Sequence, residues 1–166
     1  MPMPLTVTTQ GDNEIVVTRE FDAPRDLLWD CWTIPALIRR WLSGPTEWTM
    51  KTCEFDARVG GKWRFVSVGP NGMEMAHGGT IVELVRPERL VSTETYDVDW
   101  TGGETINTNI FTELAGGRSM STLTVRYPSR EARDGARATP MAEGMEMGFQ
   151  KLDQLLLERL SKASPV

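Results

Sequence analysis

Residues 140–161 read PMAEGMEMGFQKLDQLLLERLS. Met141, Met145, Phe149, Leu152, Leu156 and Leu160 recur at steps of three and four. That spacing predicts one amphipathic helix over about 140–161, with Glu143, Glu146, Lys151, Asp153, Gln154 and Glu158 on the opposite face. A helix with a single apolar stripe needs an apolar surface to cover it. The preceding eighty residues supply one. Short runs rich in Thr, Val, Ile and aromatics read as strands over 48–55, 63–68, 73–84, 90–96, 105–114 and 119–127. Four Gly-Gly pairs, at 60–61, 78–79, 102–103 and 116–117, punctuate the runs, as does the turn Gly69-Pro70-Asn71-Gly72. Pro128 stops the last strand.

Upstream, residues 13–21 read as a first strand, with Ile15, Val17 and Arg19 on one face. Asp22-Ala23-Pro24 is a helix-start signal, with Asp22 as the expected cap of a short helix over 24–32. Pro35 breaks it, and Thr33 is the expected cap of a second helix over 35–42. The implied class is α+β: a curved antiparallel sheet wrapped around a long C-terminal helix, with two short helices after the first strand. The length of 166 residues fits one domain, with 1–12 and 162–166 expected as flexible tails.

The net charge is −5, which argues against a nucleic-acid partner or an anionic membrane surface. No apolar run approaches the roughly 20 residues of a membrane span. Met1-Pro2-Met3-Pro4 lacks the basic and apolar regions of a signal peptide, so the expected location is cytoplasmic. One histidine, His77, and two cysteines, Cys31 and Cys53, in no ligand spacing argue against a metal site. Gly60-Gly61 is no phosphate loop, because no helix and no Lys-Ser/Thr pair follow it. The surplus lies elsewhere, in six Trp and nine Met, which fill cores and line apolar pockets alike.

Several segments occur in a telling order. Phe21-Asp22-Ala23-Pro24-Arg25 leads to Trp29, Trp32-Thr33, Pro35 and Trp41. Gly60-Gly61-Lys62-Trp63-Arg64, Pro70-Asn71-Gly72, Gly79 and Pro87-Glu88-Arg89-Leu90-Val91 follow. Arg126-Tyr127-Pro128-Ser129-Arg130-Glu131-Ala132-Arg133-Asp134 and Gly144-Met145 close the series. Over about residues 14–160 the chain resembles the standalone bacterial proteins similar to the activator of the ninety-kilodalton heat-shock chaperone's ATPase. These belong to the START/Bet v 1-like superfamily. The resemblance implies the helix-grip fold and an apolar ligand held between sheet and long helix, with no obligatory cofactor. Two departures stand out. Trp41-Leu42 replaces a pair of tryptophans, and His77, Glu94 and Asn107 put polar groups on strands that are commonly more apolar.

Strand alternation and the family register turn Trp63, Phe65, Met75, His77, Ile81, Glu94, Tyr96, Asn107, Asn109 and Phe111 inward. Trp41, Met141, Met145 and Phe149 would meet them from the helices. Each aromatic or Met is equally readable as plain core. An inward Glu94 is costly unless paired, and a one-residue slip would turn it to solvent. Arg64, Arg86 and Arg89 read as salt-bridged surface groups, Cys31 as a buried hydrophobe, and Arg130–Arg137 as a solvated helical turn.

Three functions compete. The first is binding of a small hydrophobic or amphiphilic molecule in a cavity. The second is a cofactor-free cyclase or hydrolase using His77 and Glu94 as an acid–base pair. It requires both side chains on one face of the sheet. The third is a chaperone-interaction module, disfavoured because no second domain or linker is visible to grip a large client. Exposed strand edges would favour a homodimer.

Overall fold

In the computed structural model, residues 4–43 and 47–163 are described. The order is β1 (Thr6–Gln10), β2 (Glu14–Phe21), α1 (Arg25–Thr33), α2 (Pro35–Trp41), β3 (Thr49–Phe55), β4 (Lys62–Val68), β5 (Glu74–Val85), β6 (Arg89–Tyr96), β7 (Thr105–Leu114), β8 (Arg118–Arg126), α3 (Arg130–Arg137) and α4 (Met141–Ala163). The eight strands form one antiparallel sheet in the order β1-β2-β8-β7-β6-β5-β4-β3. Consecutive strands β3 to β8 pair as hairpins, and β2 closes onto β8 across the chain.

One face of the sheet is the core face. Ile15, Val17 and Phe21 supply it from β2, Val125 from β8, Phe111 from β7, Ile81 from β5, and Trp63 and Phe65 from β4. Across it lie Leu28 and Trp29 of α1, Ile38 and Trp41 of α2, and Phe149, Leu152, Leu155 and Leu156 of α4. The aromatic centre is tight: Phe149 packs edge-on against Phe21 at 5.4 Å and stacks on Trp41 at 6.0 Å. Trp32 bridges Trp41 and Phe111. Edge-to-face pairs like these contribute beyond the area they bury.

The expected fold class is the observed one, with corrections in detail. Residues 6–10, expected inside a flexible tail, form β1 and pair with β2 from Thr6↔Thr18 to Gln10↔Glu14. At the other end Lys162 and Ala163 continue α4, while residues 1–3 and 164–166 lie outside the described residues. Neither expected cap forms. Asp22 accepts from Arg118 Nε at 3.1 Å, and Thr33 Oγ1 donates back to the Trp29 carbonyl. Arg133, expected in a solvated turn, is buried and donates to the Glu14 carbonyl at 3.0 Å. Arg64, Arg86 and Arg89 do pair at the surface, with Asp97, Asp30 and Glu83.

The largest correction concerns α4. Glu146 and Asp153, expected on its solvent face, grip Arg19 of β2. The Arg19 side chain is 2% exposed, against 18% and 22% for the two carboxylates. Four charge-assisted bonds of 2.8–3.1 Å join the three groups. The guanidinium also lies over the Phe21 ring at 4.9 Å. Positions 146, 149, 153 and 156 share one side of a 3.6-residue helix, so these acids flank the apolar stripe rather than oppose it.

Candidate functional site

Strand register decides which side chains meet. Phe65 pairs with His77, and His77 with Tyr96. Ser92 pairs with Asn107, and Glu94 with Thr105. Asn107 and Asn109 stand opposite Val125 and Leu123. Directly opposed residues share a face. His77, Glu94, Tyr96, Asn107 and Asn109 therefore all stand on the concave, core face with Trp63 and Phe65. The slipped register, with Glu94 turned to solvent, is not the one observed.

Glu94 is the hub of this cluster. Its Oε2 lies 2.7 Å from His77 Nδ1, and its Oε1 accepts from Asn107 Nδ2 at 3.0 Å. Thr105 Oγ1 donates to Asn107 Oδ1 at 3.3 Å and fixes the amide's orientation. Burial, reinforced by the Glu94 charge and a hydrogen bond to it, holds the Tyr96 phenol well above its ordinary pKa. Burial and then Glu94 push Tyr127 up to about 12. Both phenols thus remain protonated donors at neutral pH. A carboxylate can be kept in such a place only because several donors replace its water.

The imidazole is boxed by rings. Tyr96 stacks on it at 4.7 Å with an 8° interplanar angle. Trp63 and Phe65 meet it edge-on at 5.4 and 5.6 Å. Trp100 extends the wall from Tyr96 at 5.1 Å. The His77 and Glu94 side chains are 14% and 13% exposed, so solvent still reaches the pair. In the tautomer that donates Nδ1–H to Glu94, Nε2 is the ring's acceptor.

The remaining expected site residues divide. Trp41, Ile81, Phe111 and Phe149 are core: they are buried and packed on apolar neighbours. Met141 and Met145 are partly buried at the margin of that core. Met75 shares the concave face but is 49% exposed, at the rim of the site. Trp100 was absent from the sequence expectation. It follows the last strand residue of β6 in an irregular loop, where alternation assigns no face. Its aromatic character close behind Tyr96 was the available signal.

Two open concavities, of about 250 and 420 Å³, lie at the sheet, and no residue of α4 lines either. The larger is floored by Gly78 and Gly79 between Lys62, Arg64, Thr80, Thr93 and Thr95. The expected cavity between sheet and α4 is thus not among them. Phe149 of α4 instead packs directly on Phe21, Trp32 and Trp41. Among the described residues, no group of three His, Cys, Asp or Glu side chains is placed to hold a metal ion. No helix among them is long and apolar enough to cross a membrane.

Residues 22–157 match the family model described as Activator of Hsp90 ATPase homolog 1-like protein. The chain belongs to this family. Solved structures agree in fold. A Rhodobacter sphaeroides protein is 33% identical, with a TM-score of 0.88 over 94% of this chain and 99% of its own. An Arthrobacter aurescens protein is 26% identical with a TM-score of 0.78, covering 92% of this chain and 91% of that one. A Mycobacterium smegmatis protein, 24% identical, superposes with a TM-score of 0.80 over 92% of this chain and 97% of its own. No curated protein matches the chain. Members of this family share the helix-grip fold, and that fold commonly binds ligands in a cavity.

Proposed function

We propose that the protein binds a small amphiphilic molecule on the concave face of the sheet. The ligand's polar head meets His77 Nε2, and its apolar body lies along Trp63, Phe65, Tyr96 and the rim residue Met75. One observation carries this reading: a carboxylate–imidazole pair, 2.7 Å apart, stands within an aromatic wall yet stays open to solvent. A few convergent polar groups in an apolar surround is the usual make-up of a small-molecule site.

The test is calorimetric titration with 2-naphthol, whose hydroxyl would donate to Nε2. Saturable binding to the wild type, weakened about tenfold in His77→Phe, is expected from loss of one hydrogen bond in a desolvated site. Absence of saturable binding, or binding indifferent to His77→Phe while the melting curve is unchanged, would overturn the proposal.

The same short contact supports a second reading, a cofactor-free general base oriented by Glu94. A carboxylate on Nδ1 and a free Nε2 are the arrangement that proton abstraction requires. Hydrolysis of p-nitrophenyl acetate above the buffer rate, lost in His77→Phe, would favour it. Equal rates in the two proteins would remove it.

A further inference from the structure

The sheet is open, with β1 at one edge and β3 at the other. An edge strand presents unpaired backbone N–H and C=O groups, a template for a further strand. The two edges differ. On β3 the ladder shifts register between Met50 and Thr52, and Lys51 and Glu54 are exposed. The Met50 carbonyl is taken by Arg39 of α2 at 2.8 Å. A bulge, charges and a side chain laid over the backbone are the usual protections of an edge.

β1 has none of these. Thr6-Val7-Thr8-Thr9-Gln10 carries no charge and no proline, and four of its five residues are exposed. It pairs with β2 over all five residues without a register shift. Among the described residues, no hydrogen bond from outside the β1–β2 hairpin reaches the backbone of residues 6–10. The nearest, from the Leu5 N–H to Glu146 at 3.0 Å, stops one residue short. Pro4, with no N–H to donate, and Gly11, in the left-handed region at φ 55°, bound the stretch.

We propose that β1 is a homodimer interface: two copies pair antiparallel, edge to edge, through residues 6–10 about a two-fold axis at Thr8. The occupant is a second copy because the strand complements itself. That axis uses the whole strand, with Thr8 opposite Thr8, Val7 opposite Thr9 and Thr6 opposite Gln10. No charge meets a charge, and β-branched residues face one another, a favourable cross-strand arrangement. Roughly four to six backbone hydrogen bonds close across the axis. Directly opposed residues share a face, so the two concave faces lie on the same side of the joined sheet. One short strand per copy makes a small interface, so the dimer is weak and concentration-dependent.

Sedimentation velocity from about 10 µM to about 1 mM protein tests it, the range suited to a small interface. Salt at about 0.15 M screens the net charge of −5 on each copy. The wild type should pass from monomer to dimer across that range. Thr8→Lys sets like charges face to face at the axis and should stay monomeric. Thr8 is exposed and pairs with Val16, so an unchanged melting curve is expected. Thr6→Glu with Gln10→Lys sets opposite charges across the axis and should dimerise at least as well as the wild type. Thr6→Lys with Gln10→Lys should be monomeric, and gives the same readout should Thr8→Lys not fold. A wild type that stays monomeric throughout overturns the proposal. So does a dimer indifferent to Thr8→Lys, or to the sign of the charges at positions 6 and 10.

Discussion

Arg19 offers the sharpest test of how this sheet holds its helix. Its guanidinium is almost wholly buried, whereas Glu146 and Asp153 each keep about a fifth of their side chains in solvent. Desolvation opposes the arginine's charge, but hydrogen bonds and charges from both acids outweigh it and raise its pKa above the ordinary value. The asymmetry of burial then ranks the substitutions. Breaking a buried ion pair by removing one partner costs about 3–5 kcal/mol, because the survivor is left uncompensated. Arg19→Met leaves two acids that can turn to water, and its thioether keeps contact with the Phe21 and Phe149 rings. It should fall at or below the low end, about 3 kcal/mol. Glu146→Gln with Asp153→Asn leaves a buried guanidinium that cannot shed its proton, and should reach about 5 kcal/mol. Adding Arg19→Met to that double variant removes the stranded charge and should restore most of the loss. Urea denaturation at pH 7, read by tryptophan fluorescence, measures all three. The reasoning fails if Arg19→Met costs more than the double acid variant, or if the triple variant is no more stable than the double.

The same clamp sets an acid limit. Burial pushes Glu146 up, but bonds from Arg19 and the Leu5 N–H, with the Arg19 charge, bring its folded pKa below the ordinary value. Its contribution is then present above the unfolded carboxylate pKa and is lost as pH falls through the lower folded one. Urea midpoints in the wild type should therefore drop on acidification more steeply than in Arg19→Met. At the alkaline end both tyrosines of the chain are raised, Tyr127 to about 12. For a raised tyrosine the stabilising contribution is complete below the unfolded pKa near 10 and is lost as pH rises through the folded value. Absorbance at 295 nm should thus show almost no phenolate in the native protein at pH 10, and about half ionisation there in urea. Burial, then the Asp30 charge, push the Cys31 thiol up to about 11, and burial raises Cys53. A thiol reagent at pH 8 should leave both unreacted until the protein unfolds. A Cβ at Gly79 would collide with the Thr93 carbonyl oxygen, which belongs to the backbone and cannot swing aside. Gly79→Ala should cost about 1–3 kcal/mol in the same urea assay.

Most of the architecture is written in local patterns. The stripe from Met141 to Leu160 and the period-two runs of β3 to β8 each repeat often enough to fix type and face. The failures have a common cause. β1 has no alternating apolar pattern, since TVTTQ lies at a sheet edge with most residues exposed, so only its pairing with β2 reveals it. Glu146 and Asp153 are acids on an amphipathic helix, and acids there are normally solvated. Their partner Arg19 is more than a hundred residues away in sequence, so no local signal joins them. Trp100 belongs to a loop, where neither period applies. By contrast, strand alternation with the family register turned His77, Glu94 and Asn107 inward and left a one-residue slip of Glu94 open, and the observed pairing of β4 to β7 decides for the inward face.

The two polar clusters of the concave face differ in what their cost achieves. Arg19 spends its desolvation on joining β2 to α4, and its partners come from across the interface. The Glu94 hub joins nothing comparable. Its hydrogen-bond partners Tyr96, His77 and Asn107 come from its own strand and the two adjacent strands of one sheet, strands already joined by their own backbone ladders. Apolar residues at 77, 94 and 107 would extend the core formed by Trp63, Phe65 and Phe111 without the burden of a half-buried carboxylate. Replacing such a cluster by well-packed hydrophobic groups is often neutral or stabilising. His77→Phe combined with Glu94→Leu and Asn107→Leu should therefore fold with a urea midpoint at or above that of the wild type while losing 2-naphthol binding. A marked loss of stability in that triple variant would instead make the hub a structural strut, and would remove the physical ground for placing a ligand beside it.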